Sequence, residues 1–334
     1  MKPSEIQYCL GTLAEGFKTY SPKLLRAMFG GKKVSHFLPY EPPQKNEDSA
    51  EEFIENRKRI SISGVQEKLS VILDKSKLRL TIPGEQGTYL LKPIPRDLKK
   101  VGQVPANEHL TMQIARQVYG ISTAENALIF FKDGTPAYIT KRFDVKPDGM
   151  KRGKEDCASL AGKTKDTAGE SFKYEYSYEE IGGLLKKYVP TWRIEIEKYF
   201  TLVLFNYAFS NGDAHLKNFS LLEGETGEYF LSPAYDLVNT RIHVDDTDFA
   251  LHKGLFEDNW QSAFKKKSGH VGLDDFKEFG RRIGITGKRM EKLIEPFLYK
   301  QPLVEILINR SFLHEQLKRA YLLHYNTRRN YLTE

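Results

Sequence analysis

The chain has 334 residues, 40% of them hydrophobic and 28% charged, which is enough to bury a sizeable core in two or three lobes. No apolar run approaches the ~20 residues of a membrane span. The opening Met1-Lys-Pro-Ser-Glu lacks the apolar core of a signal peptide, and Cys9 and Cys157 alone cannot build a disulfide framework or a cysteine zinc site, so a cytoplasmic protein with reduced thiols is expected. A net charge of +7 favours polyanionic company such as nucleotides, but the basic residues are scattered and no nucleic-acid-binding motif or metal pattern of histidines accompanies them.

In chain order, residues 7–38 read as a compact opening segment. Ser21 as N-cap, Pro22 at the first position and Gly30-Gly31 as a stop define a short helix. The proline-punctuated, acidic stretch from Leu38 to Phe53 reads as a mobile linker. Beyond it, Ser61-Ile-Ser-Gly64 is a small-residue loop whose amides suit phosphate oxygens or simply make a turn. Leu69, Val71 and Leu73 alternate as a strand, Leu78 to Ile82 supplies its hairpin partner, and Tyr89-Leu-Leu-Lys-Pro93 is a third strand ending at Lys92. Asn107 to Gly120 is an amphipathic helix with Leu110, Ile114 and Val118 on one face. Its Glu108 has two readings: an ion pair with Lys92, or a complement to the helix dipole. Strands at 127–131 and 136–140 make another hairpin across Asp133-Gly134, and Lys141-Arg-Phe-Asp144 leaves the sheet.

The second half is mainly helical. The stretch from Cys157 to Lys173 reads as a surface segment, and its Gly162-Lys-Thr164 lacks the upstream glycine of a phosphate-loop motif. Ser177-Tyr-Glu-Glu180 opens a helix with a capping box, and a long apolar helix follows from Trp192 to Ser210. It runs into Asn211-Gly-Asp-Ala-His-Leu-Lys-Asn-Phe219. Two short apolar runs around Glu223-Gly-Glu-Thr-Gly-Glu228 then form a hairpin leading to Ser232-Pro-Ala-Tyr-Asp236. Asp213 and Asn218 have the Asp-x4-Asn spacing of a kinase catalytic loop, and Asp236 returns as the second acid: one Asp to take or orient the hydroxyl proton, an Asn and an Asp to hold Mg²⁺. Asp245, Asp246 and Asp248 read as a solvated turn, and one long helix is expected from Pro302 to Tyr325, with Ile306, Phe312 and Leu313 packing onto the lobe. The expected fold is α+β and two-lobed, protein-kinase-like: an opening segment and linker over 1–58, an antiparallel-sheet lobe over 59–143 and a helical lobe over 144–334.

Six segments in order, Ser61 to Lys68, Leu91-Lys-Pro93, Asn107-Glu108, Lys141 to Asp144, Asn211 to Phe219 and Pro233 to Asp236, resemble the HipA family of serine/threonine kinase toxins from about Ser61 to the C-terminus. The short opening segment looks more like HipT, the form without the N-terminal subdomain that a separate HipS protein supplies. The resemblance implies ATP and Mg²⁺ as cofactors, with Asp213 catalytic and Asn218 and Asp236 on the metal. It implies nucleotide contacts from Ser63, Gly64, Val65, Gln66, Glu67, Lys68 and the phosphate-binding Lys92. The hinge, Lys141, Arg142 and Phe143 with Asp144 after it, and His215, Leu216, Lys217 and Tyr235 complete that set. Ser61 and Ser63 match autophosphorylated loop serines. Where HipA has Glu this chain has Lys141, which leaves a backbone contact intact and a side-chain role open. The implied target is an aminoacyl-tRNA synthetase, glutamyl for HipA and tryptophanyl for HipT. The implied partners are antitoxins of HipB and HipS type, with DNA reached only through the antitoxin and no membrane. Two other readings of the same residues are an aminoglycoside-type small-molecule phosphotransferase and a non-catalytic repressor subunit.

Overall fold

Alternating apolar residues in the first half pair into an antiparallel sheet. The structure is a computed structural model, and it describes residues 6–42, 67–95 and 100–334. The chain separates into two compact units. The first holds the described residues up to Ile114 together with Ala124–Lys151 and Ile306–Lys318; the second holds Ala115–Thr123, Arg152–Glu305 and Arg319–Glu334.

In the first unit, β1 (Leu69–Asp74), β2 (Lys77–Leu80), β3 (Tyr89–Lys92), β4 (Asn126–Phe130) and β5 (Pro136–Lys141) form a five-stranded sheet in the order β2-β1-β3-β5-β4. Every pairing is antiparallel, with Val71 opposite both Leu80 and Tyr89 and Leu91 opposite Ile139. Leu69, Val71 and Leu91 point to one buried face, as their period of two demands. All five residues of the edge strand β4 are nonetheless buried, because the opening segment covers that edge. Leu128 N–H donates to the Leu10 carbonyl and Phe130 N–H to that of His36, while Leu38 N–H donates to Phe130. The helix α1 (Pro22–Phe29) sits where its punctuation predicts, with Ser21 Oγ accepting from Leu24 N–H and Gly30 in the left-handed conformation at its end. Tyr20 and Tyr89 lock it in place by donating to the carbonyls of Leu128 and Met28. The opening segment is thus core rather than an appendage to the sheet lobe: Cys9, Leu10, Leu24, Met28 and Phe29 share one apolar cluster with the sheet. Most of the linker read from Leu38 to Phe53 lies outside the described residues.

α2 (Val104–Gln117) begins three residues before the sequence suggests, since Pro105 sets the first turn. His109 on it is fully buried, with Nε2 3.1 Å from the Gly11 carbonyl and its ring against Phe312. That contact needs the proton on Nε2, and burial pushes the imidazole pKa down to about 4. The unfolded chain, titrating near 6.5, binds the extra proton first. His109 therefore contributes its full stability above about pH 6.5 and loses it as pH falls toward 4. Melting temperatures of the parent are expected to fall more steeply between pH 7 and pH 5 than those of a His109→Gln variant, which keeps a donor for Gly11 and cannot titrate. Parallel slopes would contradict the assignment.

The second unit carries β6 (Lys154–Asp156), α3 (Cys157–Leu160), α4 (Lys165–Ala168), α5 (Tyr178–Tyr188), α6 (Trp192–Ala208), β7 (Ser220–Glu223) and β8 (Tyr229–Leu231), followed by α7 (Ala263–Ser268), α8 (Leu273–Arg282) and α9 (Gly287–Leu298). The strands make a small antiparallel sheet in the order β6-β7-β8. The capping box at Ser177 and Glu180 is formed. The segment from Cys157 to Lys173, read as a surface loop, is partly anchored: Cys157 and Ala158 are buried, and Asp156 and Thr164 cap its two short helices.

The last helix read from the sequence is two. α10 (Pro302–Arg310) stops, and α11 (Glu315–Thr333) starts after a break at Ser311–His314. At the break, Phe312 packs half-buried against the apolar core of the first unit, Leu313 is buried, and His314 N–H donates to Gln103 Oε1. Ile306, expected to pack, is 42% exposed.

Candidate active site

The end of α6 dictates the next turn. Asn211 N–H returns to the Asn206 carbonyl, and the Asn211 side chain donates to Asn206 Oδ1 at 2.9 Å and, more weakly, to the Asp236 carbonyl at 3.4 Å. One buried amide therefore ties the helix end to the second acidic residue. Gly212 N–H donates to Thr240 Oγ1, which itself donates to the Ser210 carbonyl. A β-carbon at Gly212 would lie 2.4 Å from the Asp246 carboxyl group, so glycine lets the loop and Asp246 approach. Beyond Asp213, His215 N–H donates to Asn218 Oδ1 at 3.0 Å and Asn218 N–H to the His215 carbonyl, closing a single 3₁₀ turn. The hairpin β7–β8 reverses the chain, and Tyr235 donates to the Lys217 carbonyl at 2.7 Å, which sets Asp236 beside the turn that carries Asn218. Asp236 adopts φ +57°, a left-handed conformation that strains a residue other than glycine by about 1–3 kcal/mol.

Asp213 presents its carboxylate outward, 55% exposed. Its pKa is nonetheless raised, first by loss of water from the crowded side of the group and then by the negative charges of Asp246 and Asp236; Lys173 and the Tyr174 hydroxyl oppose the shift. Tyr174 donates to Asp213 Oδ1 at 3.2 Å. His215 Nε2 lies 4.0 Å from the same oxygen, but burial, with Lys173 adding to it, lowers the imidazole pKa to about 3, so the contact is not an ion pair at neutral pH. Its buried Nδ1 has no hydrogen-bond partner among the described residues.

The candidate ligands, the Asn218 amide oxygen and the Asp236 carboxylate, are hard oxygens, and the mutual repulsion of Asp213, Asp236 and Asp246 leaves local negative charge that a divalent cation would relieve. The residues thus fit Mg²⁺, an ion that keeps several waters and takes few protein ligands. Among the described residues no three His, Cys, Asp or Glu side chains converge tightly enough to hold a metal by themselves.

Other residues singled out from the sequence fall as follows. In the first unit, Lys92 Nζ meets Glu108 Oε1 at 2.6 Å with both side chains 4% exposed, so of the two readings of Glu108 the ion pair is formed. The Lys92 ammonium also stands 5.3 Å from the Tyr138 ring centre. Arg142 and Asp144 make a two-point ion pair just after β5, and Lys141 reaches toward the Ala27 carbonyl at 3.4 Å. Glu67 and Lys68 are half-buried at the start of β1, and Phe143 is half-buried after β5. Ser61, Ser63, Gly64, Val65 and Gln66 lie outside the described residues. In the second unit, Leu216 is fully buried, so its side chain is core and a nucleotide contact at this position would come from the backbone. Asp246 and Asp248, read as a solvated turn, are neither idle nor free: Asp246 packs on Gly212, and Asp248 pairs at 2.6 Å with Arg328, which is 1% exposed. Tyr174, Lys173 and Asp246 were not legible as site residues; Tyr174 lies 39 positions before Asp213, and no local pattern links them.

Residues 60–302 match the sequence profile of the HipA-like C-terminal domain. This chain belongs to that family. Over 318 residues the HipA-like chain is 27% identical to a Haemophilus influenzae protein named "Putative kinase", covering 90% of this chain and 88% of that one. It is 33% identical over 223 residues to the Sinorhizobium fredii "Putative kinase Y4dM", covering 62% of this chain and 52% of the relative. Among solved structures it resembles the Shewanella oneidensis toxin HipA, determined with HipB and operator DNA, at a TM-score of 0.60 and 19% identity. That match covers 86% of this chain and 66% of the HipA chain. The Helicobacter pylori proinflammatory kinase CtkA matches at a TM-score of 0.51 and 14% identity over 79% of this chain and 93% of its own. The fold is therefore kinase-like and α+β. Among the described residues no helix is long and apolar enough to cross a membrane.

Proposed function

We propose that this HipA-like chain is an ATP-dependent serine/threonine protein kinase of toxin type. The reading rests on one observation above all: Asp213 stands exposed on a loop braced by Asn206, Asn211 and Thr240, beside the turn closed by Asn218 and the left-handed Asp236. That supplies the groups phosphoryl transfer needs, a base or orienter for the hydroxyl and oxygen donors for a phosphate-bound cation. Asn218 and Asp236 would hold Mg²⁺, which when bound neutralises charge on the phosphates. In the reaction, Asp213 accepts the proton of a Ser or Thr hydroxyl as its oxygen bonds to the γ-phosphorus, and the bond to the β–γ bridging oxygen breaks to release ADP. Lys92, held by Glu108, is the candidate phosphate contact of the first unit.

The family likeness extends the proposal to substrate and partners: an aminoacyl-tRNA synthetase as acceptor, with inhibition of translation as the outcome, autophosphorylation at Ser61 or Ser63, and restraint by an antitoxin. The Shewanella HipA was determined with HipB and DNA, which supports a HipB-type partner here. The test is incubation of the chain with Mg²⁺, γ-labelled ATP and purified glutamyl- and tryptophanyl-tRNA synthetases. Phosphoserine or phosphothreonine on one synthetase with loss of its aminoacylation supports the reading. Transfer only to an aminoglycoside contradicts it.

A further inference from the structure

Residues 173–176 run as a strap along the catalytic turn. The Lys173 carbonyl accepts the Leu216 N–H at 3.1 Å, and the Tyr174 carbonyl accepts the His252 N–H at 3.0 Å, so the strap is laced on both sides. The Tyr174 ring is wedged in place: stacked on His252 at 5.9 Å between ring centres, edge-on to His215 at 5.4 Å, with the Lys173 ammonium 4.9 Å from the ring centre. From that position its hydroxyl reaches one oxygen of the Asp213 carboxylate. Burial, and then the Asp213 charge, raise the phenol's pKa, so it stays protonated and donates. Among the described residues no hydrogen bond to the second oxygen, Oδ2, accompanies it.

We propose that Tyr174 is the positioning residue of the transfer reaction, pinning Oδ1 of Asp213 so that Oδ2 faces the incoming hydroxyl. The inference rests on the kinase reading. An aspartate carboxylate on an exposed loop otherwise rotates freely about its last bond, and a base misaimed by an ångström loses a large part of its effect. The groups facing Asp213 also include Lys173, His215, Asp236 and Asp246. Of the groups around the carboxylate, the Tyr174 hydroxyl is the one placed to donate to Oδ1, at 3.2 Å.

Tyr174→Phe keeps the ring, its stacking and the strap, and deletes only the hydroxyl. In the full chain with Mg²⁺, γ-labelled ATP and an acceptor, kcat is expected to fall roughly ten- to a hundredfold, the effect of one hydrogen bond to a charged group. KM for ATP and the melting-temperature shift caused by ATP should stay within about twofold of the parent, a split that a merely structural role would not produce. A parent that transfers phosphate beside a variant with kcat within twofold overturns this inference alone. A joint fall of kcat, ATP affinity and melting temperature also overturns it, in favour of a packing role. A parent that transfers no phosphate overturns the kinase reading and this inference with it.

Discussion

Asp213→Asn is expected to lower kcat for phosphoryl transfer by roughly 10²–10⁴-fold, the usual worth of a positioned general base, while leaving the fold and nucleotide binding in place. The carboxylate is 55% exposed and accepts a hydrogen bond from the Tyr174 hydroxyl, while the backbone N–H of residue 213 donates to Asn211 Oδ1 and its carbonyl accepts from His215 N–H, so the substitution removes charge without opening a cavity or touching the backbone contacts. Asparagine is close in size and keeps an oxygen for Tyr174. The loop is held by Asn211, Gly212 and Thr240, none of which depends on the charge at 213. Single-turnover transfer to an acceptor measures the first effect, and the melting-temperature shift on adding ATP measures the second. A variant with kcat within tenfold of the parent would remove Asp213 from the chemistry.

Lys92→Met should cost about 3–5 kcal/mol, because it takes the compensating ammonium from the buried Glu108 carboxylate. Read as melting temperature, that is a fall of roughly 6–20 °C. The cost comes from the charge left behind rather than from the worth of the pair, since a buried ion pair gains little over apolar residues of the same volume. The double variant Lys92→Met/Glu108→Leu is therefore expected to recover most of the stability of the parent. Phosphoryl transfer should remain lost in both, because neither can offer an ammonium to a phosphate. Recovery of activity together with stability in the double variant would assign Lys92 to structure alone.

Much of the fold was legible because its signals are local. The helix from Pro22 to Phe29 carries its cap, its proline and its glycines within a dozen residues, and the strands announce themselves by alternation and by turns such as Asp133-Gly134. The Asp213 and Asn218 turn and the hairpin back to Asp236 were legible for the same reason. What escaped was set by contacts distant in sequence. The break at Ser311–His314 has no Gly or Pro to mark it; Phe312 leaves the helix because an apolar core accepts it and Gln103 accepts the His314 N–H. Asp246 looks like one acid of a polar turn until Gly212 is seen pressed against it. Tyr174 sits in a tyrosine-rich stretch, and only the lacing of the strap to Leu216 and His252 brings it to Asp213. Arg328, a charged residue near the C-terminus, is among the most buried side chains because Asp248 and the Tyr207 ring receive it.

The chain is expected to move the γ-phosphoryl group of ATP to a protein hydroxyl. The direct measurement is incubation of the purified chain with Mg²⁺ and γ-labelled ATP, with and without an acceptor synthetase, followed by mass-spectrometric location of the phosphate. Phosphoserine or phosphothreonine is expected on the acceptor or at Ser61 or Ser63, forming roughly 10²–10⁴-fold more slowly with Asp213→Asn. Label found on no protein, with every candidate acceptor present, would contradict it.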